Sequence, residues 1–477
     1  MKKQVLFGIA LLCSAFLSSA WAATPLQDTT YNAMGPNGEY TLTNKWLYSV
    51  TLGNYVAAAD KIGTSGFVRG MAVKDGKMLF IDREKKQITV VNGETGLTEA
   101  PIVLASNIFT YMGRNKADTA DSVWVAGTLP YNDIKVDNAG NVLLGNCITS
   151  SAGRFQVWKV NLTDGTGTLV IDQANLKDLF PDATIRFDAF GVYGDVNNDA
   201  IIMAQNASAM ETYKWTITDG VVAGDPEVIY IDNVTAGTYL TGKGNPGTAP
   251  QVFPVDENYY YLDGNETYPT LIDMDGNVID GFYNNPTALK DSTTMQDKIF
   301  TMNQGHNGLA EFQVGEEYFV VMAATNTVGT PPSSFRLFKF ADANKAFTGL
   351  DCLWTFPMKG MGGSSNAYRT AMPAVEVNGN TAKIYVYTGE NGYGMYEFKV
   401  TRSGKPEISL QPVTVSVKGN TLKLSETVAN LNIYNVTGQL IGKFANVSSV
   451  EAPGKGVFVV KATTLHGETA VQKVIVK

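Results

Sequence analysis

Short apolar runs separated by turn residues recur along most of the chain. The unit is clearest from Gly66 to Leu97. Gly66 to Val73 is a first run, followed by Lys74-Asp75-Gly76, then Lys77 to Ile81, a polar gap, and Gln87 to Val91 before Asn92-Gly93-Glu94-Thr95-Gly96. Runs this short, broken by residues that tolerate positive φ or bond their own backbone, read as β-strands joined by tight turns. The first run of each unit ends at Val73, Val136, Val192, Val255, Phe312 and Val375. The second is the most apolar: Val142-Leu143-Leu144, Ile201 to Ala204, Tyr259 to Leu262, Phe319 to Met322 and Ile384 to Tyr387. Continuous runs of that length fit strands covered on both faces. The third alternates, as in Phe155 to Val160, Tyr213 to Ile217, Phe335 to Phe340 and Met395 to Val400, and predicts one covered and one wetter face. A weaker fourth run follows, such as Val228-Ile229-Tyr230 or Leu353 to Phe356.

Six such units, spaced at roughly 60 residues, predict an all-β protein built on a six-bladed β-propeller over residues 39–410. A two-sheet sandwich does not explain a sixfold recurrence of one strand order. A closed ring must seal its ends. Trp46-Leu47-Tyr48-Ser49-Val50 matches the fourth-strand pattern, and is expected to complete the sixth blade beside Met395 to Val400. Residues 23–38 are polar and read as an N-terminal arm. On this assignment Cys147 and Cys352 fall in blades that are not neighbours, so both are expected to be free thiols.

From about Pro412 the pattern changes. Val413 to Val417, Thr421 to Leu424, Leu431 to Asn435, Gln439 to Gly442, Val457 to Lys461 and Gln472 to Val476 are short alternating runs, suiting a small immunoglobulin-like β-sandwich over residues 411–477. Ile433-Tyr434-Asn435-Val436-Thr437-Gly438-Gln439, Pro453 to Lys461 and the terminal Lys473 to Lys477 resemble the C-terminal sorting domain of Bacteroidetes secreted proteins. That resemblance implies passage through the Por (type IX) secretion machinery and exposure at the cell surface. The propeller resembles a propeller family found in the same kind of secreted protein, which carries no activity with it.

Composition adds an address. Lys2 and Lys3, the apolar run Val5 to Leu17, and Ala20-Trp21-Ala22 before Ala23 make residues 1–22 a signal peptide. The run is too short to span a bilayer, and no other stretch is apolar enough, so no transmembrane span is expected. The protein is read as exported: secreted, on the outer cell surface, or periplasmic. The formal charge is -8 with a pI near 5.0, which argues against nucleic acid or anionic lipid as partners.

Candidate chemistry is sparse. Asp195-Val196-Asn197-Asn198-Asp199 starts like a calcium loop, but Ala200 stands where Gly is needed and Asn206 where the bidentate Glu belongs; it reads as a turn, as does Asp273 to Asn277. Only His306 and His466 exist, and the cysteines lack ligand spacing, so neither zinc nor any other metal or cofactor is expected. With one propeller histidine and no Gly-x-Ser-x-Gly elbow, nucleophilic catalysis lacks its parts. Paired carboxylates remain open, since folding gathers distant acids. Asp28-Thr29-Thr30, Asp118-Thr119-Ala120, Asp121-Ser122-Val123 and Asp291-Ser292-Thr293 resemble Bacteroidetes O-glycosylation sites.

In a propeller the chain runs into each innermost strand, and out of each second strand, on the same face. Residues leading in are Arg69, Tyr131 with Asn132, Arg186, Gln251, His306 and Arg369; those leading out are Asp82, Asn146, Asn206, Asn265, Asn326 and Asn391. Three arginines and a histidine ringed by amides suit a carboxylate, a sulfate or sugar hydroxyls. The leading reading is a binding protein for an acidic glycan or a protein. A polysaccharide-acting enzyme, lyase or glycoside hydrolase, is the alternative, and a structural scaffold the third.

Overall fold

The computed structural model describes residues 30–35, 38–55, 62, 67–112, 123–232, 234–235, 238–239, 244–264, 266–282, 308–324, 332–402, 413–465 and 469–477. The signal peptide, His306, His466, Asn265, Asn326 and the four O-glycosylation motifs, apart from Thr30 and Val123, lie outside the described residues. The chain is all-β, and among the described residues the α-helix is a single turn at Leu176–Leu179. It divides into two compact units, the first ending at Thr401 and the second beginning at Arg402.

Among the described residues the first unit holds six antiparallel sheets of four or more strands. The first sheet runs Val68–Lys74, Lys77–Asp82, Gln87–Asn92, Ile102–Val103, each strand beside the next. The second runs Thr128–Val136, Val142–Ile148, Phe155–Val160, Gly167–Gln173. In the third, Gly191–Gly194, Ala200–Gln205 and Glu211–Thr218 are edged by Val221–Val222 and Glu227–Tyr230. The fourth is Gln251–Pro254, Tyr259–Gly264, Thr267–Asp273, Val278–Gly281, and the fifth Leu309–Val314, Glu317–Ala324, Ser334–Lys339, Asp351–Phe356. The sixth takes Ala371–Asn378, Thr381–Thr388 and Gly392–Arg402 from the far end of the unit, then Gly38–Ser49 and Thr30–Gly35 from its beginning. The early strand therefore seals the last sheet. Thr30–Gly35, expected as an arm, is instead a fifth strand in a hairpin with Gly38–Ser49. Tyr31 anchors it, buried with its ring 6.1 Å from Trp354.

Local chemistry explains the strand breaks. Asp75 and Gly76 both take positive φ, 51° and 71°, between the paired residues Lys74 and Lys77. That is the two-residue hairpin whose twist matches its strands. Asp219 and Gly220 repeat it between Thr218 and Val221. Asp137 and Asp273 close wider turns by accepting from the backbone N–H groups two and four residues on, at 2.8 to 3.0 Å. Asp195 accepts likewise from the Asn197 N–H at 2.9 Å.

Packing then joins the sheets in a cycle. Ile81 and Ile88 meet Ile134 and Trp158 between the first and second sheets. Phe155 stacks on Trp215 at 5.0 Å between the second and third. Met203 meets Tyr260 between the third and fourth, Leu271 meets Phe338 between the fourth and fifth, and Phe319 meets Phe398 between the fifth and sixth. Trp46, Tyr387 and Tyr393 meet Met78 and Phe80 between the sixth and the first. Second strands carry most of this burial; Val142–Ile148 is buried at every residue. Each large apolar side chain so buried contributes about 1.5–3 kcal/mol. Sheets twisted against one another around a centre, in this strand order, make the unit propeller-like.

In the second unit Thr421–Tyr434 is one long strand. It is flanked by Leu440–Glu451 on one side, and by Val415–Lys418 then Gly456–Thr464 on the other; Thr469–Val476 follows outside Gly456–Thr464. Leu422, Leu431, Ile433, Phe458 and Val460 form its own core. No helix of the described residues is long and apolar enough to cross a membrane.

Candidate functional site

Where the chain runs into the innermost strands, one narrow cleft gathers Arg69, Asn132, Asp188, Gln251, Tyr368 and Arg369. They come from five of the six sheets or the segments leading into them. The backbone there is unusual. Tyr131, within Thr128–Val136, and Ala249 and Arg369, leading into the fourth and sixth sheets, have φ of 51°, 52° and 54°. Non-glycine residues in this left-handed region cost of order 1–3 kcal/mol each and persist where the surroundings impose them, often at binding sites.

The Arg69 guanidinium lies 3.7 Å from the centre of the Tyr368 ring, an attraction of about 0.5–2 kcal/mol depending on its hydration. Arg369 is half-buried, and loss of water lowers its pKa while Glu266 opposes the shift. Arg186 makes a two-pronged contact with Asp188, 2.7 Å on each side, and this carboxylate holds its pKa above the usual range. Asn132 accepts from the Arg83 guanidinium and donates to the Asp188 carbonyl, while Arg83 Nε donates to the Pro130 carbonyl at 3.0 Å. Arg69 and Arg369 therefore line the cleft, Arg83 stands behind it on Asn132, and Arg186 pairs with Asp188.

Arg69, Asn132, Gln251 and Arg369 are thus brought together, and Arg186 reaches the cleft through Asp188. The other expected residues that the structure describes are not turned toward it. Tyr131 is buried among the first and second sheets and donates its hydroxyl to the Ile108 carbonyl at 2.8 Å. Its left-handed φ redirects the ring inward. Asn146, Asn206 and Asn391 are buried and serve backbone groups. Asn146 accepts from the Gln156 N–H at 2.6 Å, and Asn206 from the Arg186 N–H at 3.1 Å. Asn391 accepts from the Ser364 N–H at 2.8 Å and donates to the Ser364 and Gly389 carbonyls. Asp82 accepts from the Glu84 and Lys85 N–H groups. A strand end buried between sheets leaves backbone groups that need partners, and these side chains supply them. Sequence reasoning passed over Arg83, Asp188 and Tyr368. Each sits one or two residues from a position it did single out.

Cys147 Sγ lies 3.7 Å from Asp188 Oδ1. Burial, then the Asp188 charge, pushes its thiol up to about 12, against the nearby arginines. A thiol so placed is a poor nucleophile. In the native protein at pH 8 it should resist iodoacetamide and react only after unfolding, as read by peptide mass spectrometry; native-state labelling would contradict this burial. Neither Cys147 nor Cys352 is in a disulfide, in keeping with their separation in the repeat. Among the described residues no group of three or more His, Cys, Asp and Glu is arranged to hold a metal.

Residues 111–249 match a family described as a domain of unknown function, DUF8500. No curated protein matches the chain. Among solved structures, a DUF4623 family protein from Bacteroides eggerthii is similar at 14% identity and a TM-score of 0.49, over 71% of this chain and 72% of that one. A streptogramin B lyase is similar at 10% identity and a TM-score of 0.36, over 75% and 98%. The PQQ-bound aldose sugar dehydrogenase of Streptomyces coelicolor is similar at 11% and 0.37, over 76% and 100%.

Proposed function

We propose that the chain is an exported, surface-exposed binding protein: a six-bladed propeller with a C-terminal sandwich that engages the secretion machinery. Six sheets with six apolar clusters linking them in a cycle support the blade count. A separate core supports an independent tail. The leader residues and the tail's resemblance to Por sorting domains support the address. The ligand is an acidic glycan or another carboxylate-bearing molecule that lies over the arginine cleft, whose ≈ 10 Å³ interior is too small to enclose it, and sets its carboxylate against the arginines at the mouth. One observation carries this: Arg69, braced on Tyr368, shares a cleft with Arg369, itself held in a left-handed backbone. Guanidinium forks match carboxylates in shape as well as charge.

Each charge-assisted contact is worth about 1.5–3 kcal/mol, so Arg69→Ala with Arg369→Ala should weaken binding of an oligogalacturonate by roughly 100-fold or more. Isothermal titration is the measurement, beside a melting curve that should barely move. Unchanged affinity would sink the assignment, and so would a double variant that unfolds, since the arginines would then be structural.

A further inference from the structure

Toward the other ends of the innermost strands lies a second cavity, ≈ 310 Å³ in volume. That is the lower end of the range for small-molecule sites. Its walls come from the second to fifth sheets: Asp137 and Asn138, Tyr193, Phe253, Tyr261 and Glu311. None of these lines the arginine cleft.

Several of these groups are already committed to holding the walls. The Asp137 carboxylate accepts from the Ala139, Asn141 and Val196 N–H groups and from Asn141 Nδ2, at 2.8 to 3.0 Å. Asn138 Oδ1 accepts from the Gly194 N–H at 2.8 Å, tying the second sheet to the third. Tyr261 donates its hydroxyl to the Lys345 carbonyl at 2.9 Å, and Lys345 Nζ pairs with Glu311 Oε2 at 2.9 Å. The wall is therefore stiff, and its Glu311 charge is balanced from behind.

Three features remain directed at an occupant. Tyr193 and Phe253 sit half-buried on the innermost strands of adjacent sheets. Among the described residues Lys345 bonds Glu311 through Oε2, leaving Oε1 and the Tyr193 hydroxyl toward the cavity without a protein partner. An anion is disfavoured by Glu311 and Asp137. A cation gains little from a carboxylate already paired with Lys345. A wholly apolar molecule would strand the polar groups without partners. A neutral sugar ring satisfies all three features. Its C–H face covers an aromatic ring, and its hydroxyls donate to Glu311 and exchange bonds with Tyr193. We infer that this cavity is a second binding site, independent of the arginine cleft, for one neutral pyranose unit of a saccharide.

The test uses the full mature chain with cellotetraose, maltotetraose and mannotetraose, read by saturation-transfer NMR and isothermal titration. At least one should bind, with ring protons saturated. Tyr193→Ala and Glu311→Gln should each weaken it roughly tenfold, whereas Arg69→Ala with Arg369→Ala should leave it unchanged. If Tyr193→Ala does not fold, Tyr193→Leu keeps apolar volume while removing the ring, and is read the same way. The inference fails if none of the three sugars binds at about 10 mM, or if binding survives loss of Tyr193 and Glu311. It also fails if binding disappears with the arginines. Oligogalacturonate affinity, measured on the same variants, tells failure here from failure of the arginine cleft.

Discussion

A chain beginning after Ser49 should lose cooperative folding of its first unit. Gly38–Ser49 lies outside Gly392–Arg402 and buries Tyr40, Leu42, Trp46 and Leu47. At about 1.5–3 kcal/mol each, these four side chains contribute roughly 6–12 kcal/mol, an upper figure since the unfolded chain is not fully extended. Whole domains are stable by only about 5–15 kcal/mol. The polar contacts point the same way. Trp46 Nε1 donates to the Gly93 carbonyl of the first sheet at 2.7 Å, and Tyr40 donates to Glu317 Oε1 of the fifth at 2.5 Å. The deletion therefore breaks the cycle on both sides of the sixth sheet and leaves Gly392–Arg402 as an open edge prone to pairing between chains. Thermal unfolding and size-exclusion chromatography should show no sharp transition and a shift to aggregates. Trp46→Ala is the milder version, costing about 3–5 kcal/mol and lowering the midpoint without abolishing it. An unaltered midpoint in the deletion would mean that the cycle holds without this strand.

How far the sequence could be read depended on whether a signal was local. The ends of the innermost strands and the fully covered second strands were legible because apolar runs and turn residues act within a few positions. Asp75 and Gly76 demanded a tight hairpin, and one is there. The sealing strand was legible because Trp46 to Val50 repeats an outer-strand pattern. The tail was read less well. Thr421 to Leu424 and Leu431 to Asn435 looked like separate strands, yet they form one, because its register against Leu440–Glu451 shifts between Lys423 and Val428. Such an irregularity changes the phase of the alternation and hides continuity. The cleft was legible as a set of positions but not as a set of directions. A left-handed φ turned Tyr131 into the core, and Asp188 neutralised Arg186 from two residues away. The buried amides closed strand ends because backbone groups there needed partners, a demand set by burial and invisible in composition.

Alkali should unfold the protein within about one to two pH units of the ordinary tyrosine pKa near 10. Of 22 tyrosines, Tyr131, Tyr260, Tyr261 and Tyr387 lie buried between sheets, and loss of water is the first cause raising each. Tyr131 is pushed up to about 12. Tyr261 is raised further by Glu311, and Tyr387 by Tyr55, Glu390 and Asp82. Below pH 10 these rings are protonated in folded and unfolded chains alike, so their contribution is fully present. Above it the unfolded chain releases protons that the folded chain retains, and stability falls by about 1.4 kcal/mol per ring for each pH unit. Four rings together cost roughly 5–6 kcal/mol at pH 11, comparable with the whole stability of a domain. Tyr387 places this loss close to the cleft, since its hydroxyl donates to the carbonyl of Val68 at 2.9 Å, next to Arg69. Loss of an acidic ligand that tracks the loss of strand signal would therefore report opening of the fold rather than a change confined to the cleft. The cooperative part of the tyrosinate absorbance and far-ultraviolet circular dichroism, followed together, should coincide in one step, with tyrosinate from the buried rings appearing as strand signal disappears. Tyr387→Phe removes one titrating group and should move that step to higher pH. Gradual ionisation of all tyrosines near pH 10 with the strand signal intact would show that these rings meet water in the folded state, and the packing between the sixth and first sheets would have to be redrawn.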